Sequence, residues 1–470
     1  MIEPLFKLSE NKTNGRTEAL AGVTTFLTMA YIIFVQPAVL SGKMFGTNTG
    51  VDFGAATTAT CLSAALATTI MALYARYPIA QAPGMGENFF FVFSALPAAT
   101  VAGFTNGWQV ALGVVFVSGV LFLIFSLIGL RELIFNAASP SLKNGIAAGI
   151  GLFIAFIGLQ QAGVILKDPG TAVKLNAHLA SPDCIVFFVG MLTTAVLHAR
   201  RVRGSILWGI VVATALACLL KIGLPHMPAA ISAAHDVRES MLNKRFEFTT
   251  GLVALPPSLS PTFLKMDVMH ALTPKMLPFV FVFLFMLTFD AIGTLIGVCE
   301  QAGFMRDNKL PRAKQAMVSD AIGTVAGAAL GTSTVTSFVE SAAGVEAGGR
   351  TGLTGLVVAA LFLLALFFSP LIAMVGGYPP ITAPALTIVG AMMMQNVAKI
   401  EWRDYTESIP AFLIIIGIPL SYSIADGLAL GFISYAIIKA FSGRSREISW
   451  LTYILAIVLV LYFVFVRGRM

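Results

Sequence analysis

Long apolar runs separated by short polar connections recur along the chain from residue 18 to residue 467. A helix needs about 20 apolar residues to cross a bilayer. The sequence therefore predicts an all-α polytopic membrane protein with about 14 spans. The predicted spans cover residues 18–43, 53–75, 79–97, 108–130, 144–165, 183–198 and 204–222, and then 276–301, 313–330, 333–349, 351–375, 379–398, 409–423 and 425–441.

The third span of each half is short and interrupted. Pro83, Gly84 and Gly86 open the first of these, and residues 331–354 are crowded with Gly, Ser and Thr. Glycine and proline at this density oppose a continuous helix. Broken segments at matching places in two halves are the sequence feature that best indicates a transporter binding site. We therefore expect two half-helices beside a cavity at mid-membrane.

An odd number of spans per half predicts that the two repeats are inverted relative to each other. The predicted organisation is a cytoplasmic tail at 1–17, a first repeat at 18–222, an extracytoplasmic loop at 223–275, a second repeat at 276–441, and an apolar segment with its tail at 442–470.

The charged residues fix the predicted orientation. The chain is 57% hydrophobic and only 11% charged, and its net charge is +7. Lys and Arg cluster at span ends, which indicates cytoplasmic loops of an inner (plasma) membrane protein with a cytoplasmic N-terminus, and not nucleic-acid binding. The last apolar run, 449–466, ends in Arg467 and Arg469 and either crosses the membrane or lies along its surface. Arg467 and Arg469 would lie outside if that run crossed. The basic residues on the predicted cytoplasmic side are Arg76, Arg131, Lys143, Arg200, Arg201, Arg203, Arg306, Lys309, Arg312, Lys314, Arg350, Arg403, Arg444 and Arg446.

Polar side chains at membrane depth are the candidate site. A charge there is costly, so an acid kept there indicates function. Carboxylates and amides suit a small planar ring with N–H donors, on which a phenylalanine stacks. Burial also favours the neutral form of an acid, so Asp290 or Glu340 is the predicted proton carrier. The predicted substrate-binding residues are Glu340, Asp290, Asn88, Thr294, Phe89, Phe338 and Glu87, with Gln81 nearby.

Structural roles are the alternatives for these residues. Asp290 and Glu340 could form a buried structural pair, Glu87 could cap a half-helix, and Asn88 could satisfy broken backbone. No nucleophile–base pair, metal-ligand spacing or P-loop is present, so we expect no enzyme activity, no metal and no cofactor beyond the proton gradient. An inorganic anion would require Arg or Lys at the pocket, where the sequence has acids.

Four motifs resemble one family. FLTMAYIIFVQP (26–37), APGMGENFF (82–90), FDAIGTLIG (289–297) and ESAAGVEAGGRTGLT (340–354) are similar to signatures of the AzgA-like purine permeases. These form a branch of the nucleobase–cation symporters with the uracil-permease fold. The resemblance implies two inverted seven-helix repeats, a core domain from spans 1–4 and 8–11, a gate domain from spans 5–7 and 12–14, and short strands in spans 3 and 10.

The resemblance also implies a function. It is proton-coupled uptake of adenine, guanine or hypoxanthine by elevator-like movement, with the family's binding acids at Asp290 and Glu340, its asparagine at Asn88 and a site-facing position at Thr294. Relatives usually carry Leu in place of Glu87, and many carry Asp or Asn in place of Leu287, so the choice among purines stays open. The implied partners are a purine, protons, the bilayer and a homodimer partner. The alternatives are an anion exchanger or channel on the same fold, or a symporter for another planar base such as xanthine or uracil.

Overall fold

A computed structural model describes residues 2–129, 138–228, 234–249, 251–304, 310–461 and 463–464 of the chain. Within these residues, ten helices are long and apolar enough to cross a membrane. The prediction of a mostly helical, multi-pass membrane protein is therefore confirmed. Arg131, Arg306 and Lys309, which we used to predict the orientation, lie outside the described residues, as do Arg467 and Arg469.

The first half contains most of its residues in helices. Their bounds are α1 Ile2–Phe6, α2 Gly15–Met29, α3 Ile32–Leu40, α4 Phe53–Ile70, β1 Gln81–Pro83, α5 Met85–Phe90, α6 Leu96–Val101, α7 Gly107–Ile128, α8 Pro140–Gln161, β2 Ile165–Asp168, β3 Ala172–Leu175, α9 Pro182–Ala199 and α10 Ser205–Gly223.

The outer section, which is the segment 223–275 predicted as an extracytoplasmic loop, and the second half follow. Their bounds are α11 His235–Arg238, α12 Met241–Arg245, α13 Val268–Ala271, α14 Leu277–Gln301, α15 Ala313–Leu330, β4 Val335–Ser337, α16 Ser341–Glu346, α17 Gly352–Ala365, α18 Ser369–Gly376, α19 Pro379–Met393, α20 Tyr405–Ser421, α21 Ile424–Phe441 and α22 Trp450–Leu461.

The two broken segments meet as a pair of antiparallel strands. In this pair Gln81 lies opposite Ser337, and Pro83 lies opposite Val335. Each strand leads into a short half-helix, α5 after β1 and α16 after β4. Proline cannot donate a backbone hydrogen bond and glycine weakens a helix, which explains why the first segment opens here. The short strands and half-helices expected in spans 3 and 10 are present.

The first predicted span consists of two helices, α2 and α3, which are separated by Ala30 and Tyr31. Ala30 and Tyr31 keep right-handed helical backbone angles, and the backbone tightens there, because the amide of Ile33 donates to the carbonyl of Ala30 (3.1 Å) and that of Phe34 to the carbonyl of Tyr31 (3.1 Å). Such three-residue bonds narrow a helix locally. The break places Tyr31 beside the second half-helix segment.

The long helices pack in two groups. One group contains α2, α4, α7, α14, α15 and α17, and the other contains α8, α9, α10, α19, α20 and α21. Small residues allow close approach inside each group. For example, a side chain at Gly145 would meet the backbone of Ala411 at 3.1 Å. The division into a core that moves against a gate stays a prediction.

The outer section between α10 and α14 is tied to the helices at both of its ends. Asp183 in α9 accepts backbone hydrogen bonds from Met241 (2.7 Å) and Leu242 (3.0 Å). Farther along, the amide of Leu264 donates to the carbonyl of Ala329 in α15 (2.7 Å). The section predicted as an extracytoplasmic loop therefore contains structured, docked parts.

The last apolar run begins with helix α22, which packs against α21. Its 12 residues are fewer than the roughly 20 that span a bilayer. Whether the whole run from 449 to 466 crosses the membrane stays a prediction.

Candidate functional site

The crossing strands are held together by an acid from a neighbouring helix. Asp320, buried in α15, accepts a 2.8 Å hydrogen bond from the hydroxyl of Ser337 in β4 and a hydrogen bond from the side-chain amide of Gln81 in β1. Thr68 in α4 completes the support. Its hydroxyl donates to the backbone carbonyl of Gln81 (3.0 Å) and accepts a hydrogen bond from the backbone amide of Gln81 (2.8 Å). Side chains from two helices therefore fix the point at which the strands cross.

Glu340 lies at the start of α16 and is half-buried. Its carboxylate accepts a 2.9 Å hydrogen bond from the phenol of Tyr31. The hydroxyl of Thr28 approaches the Glu340 carbonyl at 3.4 Å. The break between α2 and α3 thus holds the acid in place.

Glu87 and Asp290 lie near the other strand. Glu87 is buried in α5, and its carboxylate lies against Gly84, which the methyl group of Thr336 also approaches. The buried Thr336 hydroxyl has no hydrogen-bond partner of normal geometry and lies next to the half-buried carboxylate of Asp290. A side chain at Gly84 would occupy the space of the Glu87 carboxylate, so glycine leaves room for the carboxylate in this position.

Four acids form one cluster. Asp290 is close enough to Glu87, Asp320 and Glu340 for its charge to act on each of them. Like charges in a poorly solvated environment repel strongly, so the cluster favours states in which some of these acids carry a proton. Four acids in this arrangement can store protons and can accept hydrogen bonds from a bound ring.

Asn88 is fully buried beside this cluster. Its side-chain oxygen accepts a hydrogen bond from the hydroxyl of Ser333. Among the described residues, the contact of its side-chain nitrogen is with the sulfur of Met85, at 3.9 Å. The amide therefore retains donor capacity.

The predicted aromatic residues and Thr294 have different surroundings. Phe89 is fully buried, and its ring lies 6.1 Å from those of Phe93 and Phe153. Phe338 is buried between β4 and Glu340. Thr294 is half-buried in α14, one turn beyond Asp290. That either ring stacks on a solute, and that Thr294 contacts it, stay predictions.

Sequence reasoning missed two residues of this region, Asp320 and Tyr31. Asp320 carries the same signal as the acids that were selected, since it lies inside the predicted span 313–330. Tyr31 lies in the FLTMAYIIFVQP motif, but its contact with Glu340 joins residues 309 positions apart. Spacing along the sequence does not reveal such a contact.

The described residues also contain an open cavity that is separate from the acids. Its volume is about 690 Å³, and none of the predicted site residues lines it. It is lined by Lys43, Gly46, Thr47, Arg245, Glu247, Phe248, Thr249, Pro370, Ala373, Met374 and Gly377. Among the same described residues, no group of three His, Cys, Asp or Glu side chains has a geometry suited to a metal ion.

Comparisons with known proteins match nearly the whole chain. A family described as a permease family matches residues 16–430. The guanine/hypoxanthine permease PbuO of Bacillus subtilis is 43% identical over 453 residues, which cover 96% of this chain and 98% of PbuO. The adenine permease AdeP of Escherichia coli is 39% identical over 470 residues, which cover 100% of this chain and 97% of AdeP.

Solved structures share the fold. The transmembrane domain of a cyanobacterium bicarbonate transporter, BicA, aligns with a TM-score of 0.59 and covers 87% of this chain and 96% of its own. Its sequence identity is only 17%, so the similarity concerns the architecture and not the solute.

Proposed function

The chain belongs to the permease family that matches residues 16–430, and from this premise we propose that it is a secondary transporter of purine nucleobases. The proposed substrates are adenine, guanine and hypoxanthine. Transport is coupled to protons and brings the base into the cell across the inner membrane.

The observation that supports this proposal is the acid cluster at the crossing strands. Glu87, Asp290 and Glu340 offer carboxylate acceptors, and Asn88 retains an amide donor. Purines are flat rings that carry both N–H donors and ring acceptors, so their hydrogen-bonding groups match such a set. Relatives that are named as purine permeases cover the same length of chain.

Proton coupling follows from the chemistry of the same cluster. A carboxylic acid that is poorly solvated and near other acids binds a proton readily. In the proposed cycle, Asp290 or Glu340 takes a proton from outside, the cluster binds the base through its remaining carboxylates, and the proton leaves with the base on the inner side. The chain crosses the membrane about 14 times in two inverted repeats, with its N-terminus in the cytoplasm.

Two other functions are compatible with the fold. The first is anion exchange, which the likeness to a bicarbonate transporter suggests. It is the weaker candidate, because the charged side chains described around the crossing strands are acids, and an anion requires cationic or neutral donors. The second is symport of another planar base such as xanthine or uracil.

Uptake of radiolabelled hypoxanthine and adenine by a host that lacks its own purine transporters tests the proposal. We expect accumulation that a protonophore abolishes. Glu340→Gln should remove uptake while the protein still reaches the membrane. Absence of purine uptake in the wild type would refute purine transport, and uptake unaffected by the protonophore would refute proton coupling. Uptake of radiolabelled bicarbonate in the absence of purine uptake would favour anion exchange.

A further inference from the structure

Three buried polar side chains form a hydrogen-bonded chain that ends at Asn88. Building on the proposed function, we propose that Gln36 and Ser333 are positioning residues that orient the Asn88 amide, and that this orientation makes the site prefer 6-oxopurines over adenine.

The hydrogen bonds run in one direction, from Gln36 through Ser333 to Asn88. The side-chain nitrogen of Gln36, in α3, donates to the hydroxyl oxygen of Ser333 (3.1 Å) and to that of Thr332 (2.9 Å). Ser333 then donates its hydroxyl proton to the side-chain oxygen of Asn88. A serine hydroxyl has one proton to give, so accepting from Gln36 leaves that proton for Asn88.

These hydrogen-bonded side chains have no access to water. Gln36, Thr332, Ser333 and Asn88 are all fully buried. Water therefore cannot exchange with these partners, and the single proton of the Ser333 hydroxyl is directed at the side-chain oxygen of Asn88. The oxygen of Asn88 is held toward Ser333, and its nitrogen points away from it.

The side-chain nitrogen of Asn88 faces a weak acceptor. The Asn88 nitrogen has two protons, and its contact is the thioether of Met85 at 3.9 Å, which is a weak acceptor. A buried amide with so little compensation is costly unless a ligand supplies the acceptor. We infer that the bound base accepts a hydrogen bond from Asn88.

The group that complements the Asn88 amide at the edge of the base is the carboxyl group of Glu87. Glu87 precedes Asn88 in the same half-helix, and the charge of Asp290 acts on it. A carboxylate acceptor and an amide donor on one half-helix match the edge of hypoxanthine or guanine, where the N1–H donates and the 6-oxygen accepts. Adenine presents the opposite pair on that edge, an acceptor at N1 and a donor at the 6-amino group. The mismatch leaves buried groups unpaired and lowers affinity for adenine.

Competition against uptake of radiolabelled hypoxanthine tests this assignment. In the wild type, unlabelled hypoxanthine should compete about tenfold better than adenine, or more, as expected for one mismatched buried pair. Ser333→Ala and Gln36→Leu release the Asn88 amide and should bring this ratio close to one. A general loss of stability would lower transport of both bases equally and leave the ratio unchanged.

Thr332→Val is the matched control. It removes the other hydroxyl that Gln36 contacts but leaves the path through Ser333 intact, so the wild-type ratio should persist. An epitope tag measures the amount of each variant in the membrane, and Ser333→Ala carries the test if Gln36→Leu fails to fold.

Two results would overturn the inference while leaving purine transport standing. One is a wild type that prefers adenine, measured with radiolabelled adenine as well. The other is a Ser333→Ala variant that still transports purines and in which hypoxanthine competes better than adenine by the same factor as in the wild type. A wild type that takes up neither base would refute the proposed function, and this inference with it.

Discussion

The phenol of Tyr31 donates a 2.9 Å hydrogen bond to the carboxylate of Glu340, across 309 positions of sequence. Tyr31 lies in the break between α2 and α3, and Glu340 lies where the second broken segment turns into its half-helix. Two interruptions of helical structure are therefore joined by one side-chain contact. The contact fixes the direction of one carboxylate oxygen and leaves the other oxygen of Glu340 for another partner.

Tyr31→Phe removes this hydrogen bond without changing the ring. Because Glu340 then loses its fixed direction, we expect the KM for purine uptake to rise about tenfold, the effect of one hydrogen bond to a charged group. Initial-rate uptake over a range of base concentrations measures this change. Tyr77→Phe is the control, since Tyr77 is also buried but accepts its hydrogen bond from the amide of Arg312 (3.3 Å). An unchanged KM in Tyr31→Phe would show that Tyr31 does not position the acid.

Asp320→Ala tests the support of the crossing strands. The change leaves the buried side chains of Gln81 and Ser337 without their shared acceptor. An unpaired buried polar group costs about 1–3 kcal/mol, so the thermal unfolding midpoint in detergent should fall and uptake should decrease. Ser319→Ala is the neighbouring control, because Ser319 donates to the carbonyl of Gln315 in its own helix (2.9 Å). Equal stability of the two variants would contradict this role of Asp320.

Much of this architecture could be predicted from the sequence. Pro83 and Gly84 are local signals, and the cost of an acid in an apolar span is a general rule, so the broken segments and Asp290, Glu340 and Glu87 could be selected without coordinates. The resemblance to purine permeases is confirmed at the level of the family. The partners of Glu340 and Asn88 could not be predicted, because Tyr31 and Ser333 reach them only through packing between distant segments.

The break after α2 is a clear example. Ala30 and Tyr31 are not helix-breaking residues, so the apolar run around them predicts one continuous helix. The tertiary contact with Glu340 accompanies the break, and no local pattern signals it. Asp320 is different, since an acid inside a predicted span was visible and could have been weighed with the others.

Glu18→Ala should destabilise the protein without touching the acid cluster. The buried Glu18 carboxylate accepts backbone hydrogen bonds from Arg350 (2.9 Å) and Thr354 (3.2 Å), at the start of α17. It also accepts the hydroxyls of Thr351 (2.9 Å) and Thr354 (2.6 Å). An acid that binds the amides at a helix N-terminus stabilises that helix, and hydrogen bonds to a charged group contribute about 1.5–3 kcal/mol each.

The measurement is the free energy of unfolding in detergent. We expect a loss of about 3 kcal/mol in Glu18→Ala and a smaller loss in Glu18→Gln, which keeps one acceptor oxygen. Glu10→Ala is the control, because Glu10 is exposed and pairs only with Lys7 on the surface (3.1 Å), where an ion pair adds little. A loss in Glu18→Ala no larger than that in Glu10→Ala would contradict the capping role.

The segment before the last helix is held by ion pairs that depend on pH. Arg444 contacts Asp404 (2.7 Å) and Glu447 (2.6 Å), outside the spans. Hydrogen bonds from Arg444 and then Lys439 lower the pKa of Glu447 from 4.5 to about 2. A hydrogen bond from Thr406, and after it one from Arg444, lowers the pKa of Asp404 from 3.8 to about 2. Acids with a depressed pKa stabilise the folded state above their unfolded pKa and lose this effect as the pH falls toward 2.

Arg444→Gln should therefore lower the thermal unfolding midpoint by an amount that depends on pH. The two acids have a pKa of about 2 in the folded state and ordinary values of 4.5 and 3.8. We therefore expect the difference in unfolding midpoint between wild type and variant to be constant from pH 7 to about 5. It should shrink steadily from pH 4.5 to about pH 3. Glu447 is exposed and Asp404 is partly exposed, so salt screens both pairs and the difference should also decrease with added salt. Arg446→Gln, an exposed arginine two residues away, should show neither dependence. A difference that stays the same down to pH 3 would mean that Arg444 stabilises this segment through packing and not through its charge.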